Sequence, residues 1–214
     1  ANFFATISGD TEAPAMYVYG LAVSQGTVVS PAESEAYAAT LAIGSNKAPA
    51  LIATNWPPEE VSGIHTAVTG NRPLVLAGEN VGSIGPVHPR TALGYTQDKR
   101  YLILLTLDGR QAGYSDGATD YETAQWMLRL GAYEAINLDG GGSTTMVITD
   151  GQGGAIALNR AIDSGIPGRE RICGNHLGIR ARPLGAAGRT NGLAESLTIT
   201  PFAGACHRLS AQGA

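Results

Sequence analysis

Asp139-Gly140-Gly141-Gly142-Ser143 is the segment of this chain richest in groups that can do chemistry. Three consecutive glycines let the backbone take positive φ and approach a ligand with no Cβ in the way. Successive amides in such a turn can form a concave nest for an anionic oxygen. Asp139 stands at the mouth of the run, and Ser143, Thr144 and Thr145 add hydroxyls. The same string also reads as a plain tight turn. It lacks the GK[ST] ending of a P-loop and the GxGxxG of a dinucleotide site.

Two further segments carry charge in suggestive places. In His88-Pro89-Arg90-Thr91, the Arg90 guanidinium either clamps a phosphate with two parallel hydrogen bonds or satisfies loop carbonyls. His88 reads as a packing or loop histidine. Asp108-Gly109-Arg110 places an acid and a base at the carboxyl end of an apolar run, where ligand sites tend to gather. A simple turn with a local ion pair competes with that reading. Glu122 could serve as a catalytic acid, but its capping-box position favours a structural role.

The 214 residues supply one domain with a sizeable core, or one domain and an extension. The 29 glycines are about twice the average usage of roughly 7%, without a collagen-like period. Net charge is −4 and no basic cluster occurs, which disfavours a nucleic-acid partner. No apolar run approaches the ~18 residues of a membrane span. Cys173 and Cys206 either pair or remain thiols; spacing alone does not decide.

The elements that must hold these groups are mostly short strands. Apolar runs at Met16–Val23, Thr27–Val29 and Pro73–Ala77 are bounded by turn residues. Ser30-Pro31-Ala32-Glu33 resembles a helix start, but a hairpin of Tyr37–Ile43 with Ala50–Ala53 is favoured over it. Tyr101–Leu107 is apolar throughout, as a strand buried on both faces would be. Thr119 and Glu122 form a capping box before a helix from about Asp120 to Leu130, with Ala124, Met127 and Leu128 on one face. Gly131 then stops it. Glu134–Leu138, Thr144–Thr149, Ala155–Leu158 and Ile172–Arg180 complete the strands. Strand, helix, strand between 101 and 138 predicts one βαβ-like crossover. The fold class is α+β, a mixed β-sheet core with few helices. A domain over 1–182 is followed by a Gly/Ala-rich linker and tail over 183–214.

In order along the chain, Asn2-Phe3-Phe4, Ala67-Val68-Thr69-Gly70, Arg90-Thr91-Ala92-Leu93-Gly94, Asp108-Gly109-Arg110, Gly113-Tyr114-Ser115, Leu130-Gly131-Ala132, Asn137 through Ser143 and Glu170-Arg171 resemble the phosphodiester glycosidase family. The resemblance spans about residues 2–181. It implies hydrolysis of a sugar joined through its anomeric carbon to phosphate, with Arg90, Asp108, Arg110, Asp139 and Ser143 lining the site. On that basis Asp139 is the expected base or nucleophile, with Asp108 in reserve. Arg90, with Arg110, is the expected phosphate clamp. Gly140, Gly141, Gly142, Ser143 and Thr144 would orient the substrate, Asn137 would brace the loop, and Thr91, Asn2 and Arg171 complete the expected contacts.

The expected partner is a carbohydrate or sugar-phosphate substrate. Family members carry further strands ahead of the Asn-x-x-Phe-Phe segment, whereas here Asn2 is the second residue. The upstream part was cleaved, belongs to another chain, or is missing from a reduced member, and an exposed sheet edge there would favour a partner chain or oligomer. No cofactor is certain from the sequence, and a divalent cation on the aspartates stays open. The expected location is secreted or extracytoplasmic. The alternative is a catalytically inactive carbohydrate-binding or self-assembling surface module on the same fold.

Overall fold

The computed structural model describes residues 4–7, 15–18, 20–30, 39–52, 61–181 and 194–201. Strands β1 (Phe4–Ile7) and β2 (Ala15–Val18) pair antiparallel. A five-stranded sheet follows, built from β3 (Ala22–Ser24), β4 (Thr27–Ser30), β5 (Ala39–Gly44), β6 (Pro49–Ile52) and β7 (Ile64–Gly70), in the order β4-β3-β7-β5-β6. The expected hairpin is β5 with β6, Leu41 opposite Leu51. Ser30 ends a strand, and the proposed helix start at residues 31–33 lies outside the described residues.

The second five-stranded sheet holds β8 (Arg72–Leu76), β9 (Glu79–Asn80), β10 (Arg90–Tyr95), β11 (Leu102–Leu107) and, after the helix α1 (Asp120–Arg129), β12 (Glu134–Asn137). Its order is β11-β10-β12-β8-β9. Each neighbouring pair is antiparallel. The crossover therefore joins β11 and β12, which run parallel with β10 between them. That placement corrects one expectation: β11 is not buried on both faces. It is an edge strand, and its residues are half-exposed, Leu104 40%.

Three layers result. Leu41 and Val68 of the first sheet pack on Leu93, Tyr95 and Ile136 of the second. On its other side the second sheet meets α1, where Ala124 and Met127 pack on Leu74, Val75, Ala92 and Ala135. Being covered on both faces, β8, β10 and β12 are largely apolar. The helix begins as read, with Thr119 and Glu122 forming a reciprocal capping box. It ends in a Schellman motif: Gly131, at φ 91°, donates to the Leu128 carbonyl, and Ala132 donates to that of Met127.

Four shorter strands and one longer pair follow the second sheet. Strands β13 (Val147–Thr149) and β14 (Ala155–Ala157) form a hairpin, as do β15 (Ile162–Asp163) and β16 (Ile166–Pro167). β17 (Asn175–Ala181) pairs with β18 (Ala194–Pro201). The stretch read as linker and tail thus contributes a strand. No helix among the described residues is long and apolar enough to cross a membrane.

Candidate functional site

Strand β12 delivers Asn137 to its carboxyl end. The Leu138 amide extends the ladder by donating to the Thr91 carbonyl at 2.8 Å. The chain then turns through Asp139 and Gly140 into a single 3₁₀ turn, Gly141–Ser143. Each glycine meets a different neighbour. A Cβ on Gly140 would stand 2.6 Å from the Pro89 carbonyl oxygen, the atom that accepts the Gly141 amide at 2.9 Å. Gly141 takes φ 60° and lies beneath the Arg110 guanidinium, whose Nη1 would sit 3.0 Å from a Cβ there. A Cβ on Gly142 would meet Arg171 Nε and Nη2 and Asp163 Oδ1, all at 2.7 Å. Two guanidinium groups therefore cover consecutive glycines.

Asp139 is buried, 9% exposed, and burial pushes its carboxyl pKa up. The Ser143 hydroxyl, the Arg171 charge and the Gly140 amide oppose that shift without cancelling it. The Ser143 Oγ is buried beside Asp139, yet no hydrogen bond of good geometry reaches it among the described residues. Cys173 closes the far side as a buried thiol with its Sγ 3.5 Å from the Arg171 carbonyl; burial raises its pKa. Arg171 is held by Asp163, Nε to Oδ1 at 2.9 Å.

The amides are less available than a nest requires. Those of Gly141, Ser143 and Thr144 donate to the carbonyls of Pro89, Gly140 and Gly141. An anion at this loop would therefore meet mainly side chains.

Residues 1–180 match the family model described as phosphodiester glycosidase. This chain belongs to the phosphodiester glycosidase family. Among solved structures it is similar to the zebrafish N-acetylglucosamine-1-phosphodiester alpha-N-acetylglucosaminidase catalytic domain auto-inhibited by its pro-peptide. That likeness has 21% identity and a TM-score of 0.49, covering 59% of this chain and 47% of that one. A hypothetical protein from Synechocystis matches with 15% identity and a TM-score of 0.35, over 62% of this chain and 38% of that one. The chain thus spans less than half the length of either. Comparison with curated proteins returns no match.

Within this phosphodiester glycosidase domain, the residues singled out in the sequence separate into two groups. Asp139, Gly140, Gly141, Gly142, Ser143, Arg110 and Arg171 come together at the loop. Arg90 does not offer a free clamp: its Nε donates to the Ala118 carbonyl, its Nη2 to that of Pro86, and its Nη1 pairs with Asp120 at 2.7 Å. It ties β10 to the start of α1. Asp108 is likewise a brace. Its carboxylate accepts from Asn159 Nδ2 at 2.9 Å, the Arg160 amide at 3.0 Å and the Tyr114 hydroxyl at 3.0 Å.

Asn159 passes that brace on to the loop, donating to the Thr144 carbonyl at 2.8 Å. Thr91 meets Thr144 hydroxyl to hydroxyl at 3.4 Å. Asn137 does brace: its Nδ2 donates to Asn71 Oδ1 and to the Leu138 carbonyl. Asn2 and Cys206 lie outside the described residues. Sequence reading missed Asp163 and Asn159, whose partners are eight and fifty-one residues away. No group of three or more His, Cys, Asp or Glu able to hold a metal occurs among the described residues.

Proposed function

We propose that this domain hydrolyses a sugar-1-phosphodiester, releasing the sugar from its anomeric carbon. The observation that carries this reading is a buried carboxyl, Asp139, at the head of a glycine loop covered by Arg110 and Arg171. A glycosidic bond to an ordinary alcohol needs a proton delivered to its leaving oxygen, commonly by a second carboxyl group. A phosphodiester leaves as a stabilised anion and removes that need. Asp108, whose carboxylate is engaged by three donors, is not required as an acid.

In this reading Asp139, ionised, either takes a proton from the attacking water or attacks the anomeric carbon itself. The anomeric C–O bond breaks and its electron pair goes to the phosphate oxygen. Arg110 and Arg171 neutralise the departing charge in fixed positions, so little reorganisation accompanies the reaction. Ser143, whose buried hydroxyl lies beside the Asp139 carboxyl, is placed to bond a sugar or phosphate oxygen. Thr144 acts through its backbone to hold the loop.

The test is release of free sugar from a panel of sugar-1-phosphodiesters by the wild-type domain and by Asp139→Asn. Turnover in ¹⁸O-water should place the label on the sugar C1 hydroxyl. Label in the phosphate would mean P–O cleavage and remove the assignment of Asp139. Binding without release would favour the inactive carbohydrate-binding module.

A further inference from the structure

We propose that His88, as a neutral imidazole with an unprotonated Nδ1, is the positioning residue that holds the Arg110 guanidinium over Gly141. Protonation of His88 then releases this arm of the anion site. The inference rests on the reading of that loop as the phosphate-binding part of a sugar-phosphodiester site.

Arg110 is exposed, and a long exposed side chain ordinarily samples many rotamers. Two features restrict this one. Its backbone stands at φ 57°, a left-handed conformation unfavourable for a non-glycine residue, and so needs support from its surroundings. The support is visible. The Arg110 amide donates to the Asp116 carbonyl at 3.0 Å, Gln111 donates to Ser115, and Ser115 Oγ donates back to the Asp108 carbonyl at 2.6 Å. The left-handed turn aims the side chain towards the glycine loop.

The second feature is His88. Its Nδ1 lies 3.1 Å from Arg110 Nη2, and the Arg110 guanidinium has no other hydrogen bond among the described residues. His88 is itself fixed, because its amide and carbonyl exchange hydrogen bonds with Ala118 at 3.1 and 3.0 Å. Gly117 permits that approach; a Cβ there would collide with the His88 carbonyl. The pin and the pinned residue are therefore anchored to the same loop.

The chemistry fixes the tautomer. A guanidinium only donates, so Nδ1 must accept, and the single imidazole proton resides on Nε2. A second proton would convert Nδ1 to a donor facing another donor, and add a like charge. The groups facing His88 agree with a neutral ring at neutral pH. Partial burial, Arg110 and Arg90 lower its pKa, while the Val87 backbone and Asp120 raise it by less. Asp120 is already paired with Arg90 and Arg72.

Two measurements test this. Long-range ¹H–¹⁵N correlation of the imidazoles, with His88→Asn to assign the signal, should show His88 as the Nε2–H tautomer. Arg110→Ala should raise the His88 pKa and let both tautomers appear. Finding His88 as Nδ1–H, or unaffected by Arg110→Ala, overturns the proposal whether or not any substrate is turned over. In kinetics on a sugar-1-phosphodiester, KM should rise and kcat should fall as His88 becomes protonated, because Arg110 also faces the departing charge. His88→Asn, whose Oδ1 takes the place of Nδ1, should keep the neutral-pH KM and lose that acid-side rise. His88→Leu should raise KM about tenfold at neutral pH, as loss of ~1.4 kcal/mol of binding would, and should add nothing in an Arg110→Ala background. A His88→Leu enzyme with wild-type KM at every pH also overturns it.

Discussion

Arg90 and Asp120 face each other at 2.7 Å with both side chains buried, 9% and 5% exposed, whereas the other ion pairs among the described residues each have an exposed arginine. The pair joins the first residue of β10 to the first turn of α1, so it fixes the helix start to the strand beneath the glycine loop. Removing one member of a buried pair leaves an uncompensated charge, typically costing about 3–5 kcal/mol. Arg72, 2.9 Å from the other Asp120 oxygen, offsets part of that loss. Arg90→Ala is expected to destabilise the domain by about 3 kcal/mol in urea titration. A rise in KM without loss of stability would instead restore Arg90 as a substrate clamp.

The three glycines should not be equivalent. Gly140→Ala drives a Cβ to 2.6 Å from the Pro89 carbonyl, a backbone atom that can move only by displacing β10. Gly142→Ala meets side-chain atoms of Arg171 and Asp163, which can swing aside. Gly140→Ala should therefore lower Tm markedly. Gly142→Ala should change Tm little while raising KM, because the yielding group is Arg171. Equal Tm losses in the two variants would contradict the layout of the loop.

Much of the helix was legible because its signals are local. Thr119, Glu122 and Gly131 act within four residues of their partners, and periodicity supplied Ala124 and Met127. The glycine run was equally plain as a turn. What the string could not show is why each glycine is there, since Pro89, Arg110 and Arg171 reach it from three different segments. The same limit explains Arg90. A guanidinium beside a glycine loop has the same sequence signature whether it faces a phosphate or Asp120, thirty residues on. Tyr101–Leu107 was misjudged for a related reason: an apolar run reports propensity for a sheet, and position within the sheet is set by pairing.

Asp108 separates bracing from catalysis. Its carboxylate accepts from Asn159, Arg160 and Tyr114, and Asn159 continues to the Thr144 carbonyl. Asp108→Ala removes an acceptor from several donors at once, and hydrogen bonds to a charged group contribute about 1.5–3 kcal/mol. Asp108→Ala is expected to lose about 2 kcal/mol of stability, read by urea titration, and to retain measurable turnover. Complete loss of turnover in a fully stable Asp108→Ala protein would make it a second catalytic carboxylate and favour an ordinary glycoside as substrate.

Asp139 should show the opposite balance, stability gained where function is lost. Burial raises its pKa in the folded state, so between the unfolded and folded values the folded chain binds more protons than the unfolded one. Stability then falls as pH rises through that window, and is fully present only below the unfolded carboxylate value. Above that window the folded state carries an ionised carboxylate at a cost. Asp139→Asn removes the charge in a similar shape, and Arg171 keeps its partner Asp163. The variant should have no turnover and a higher Tm than wild type at pH 7. The difference should vanish in acid, where the wild-type carboxyl is protonated in both states. Thermal unfolding followed at several pH values checks the sign: an Asp139→Asn protein less stable than wild type at pH 7 would mean that Arg171 and Ser143 outweigh burial at this carboxyl.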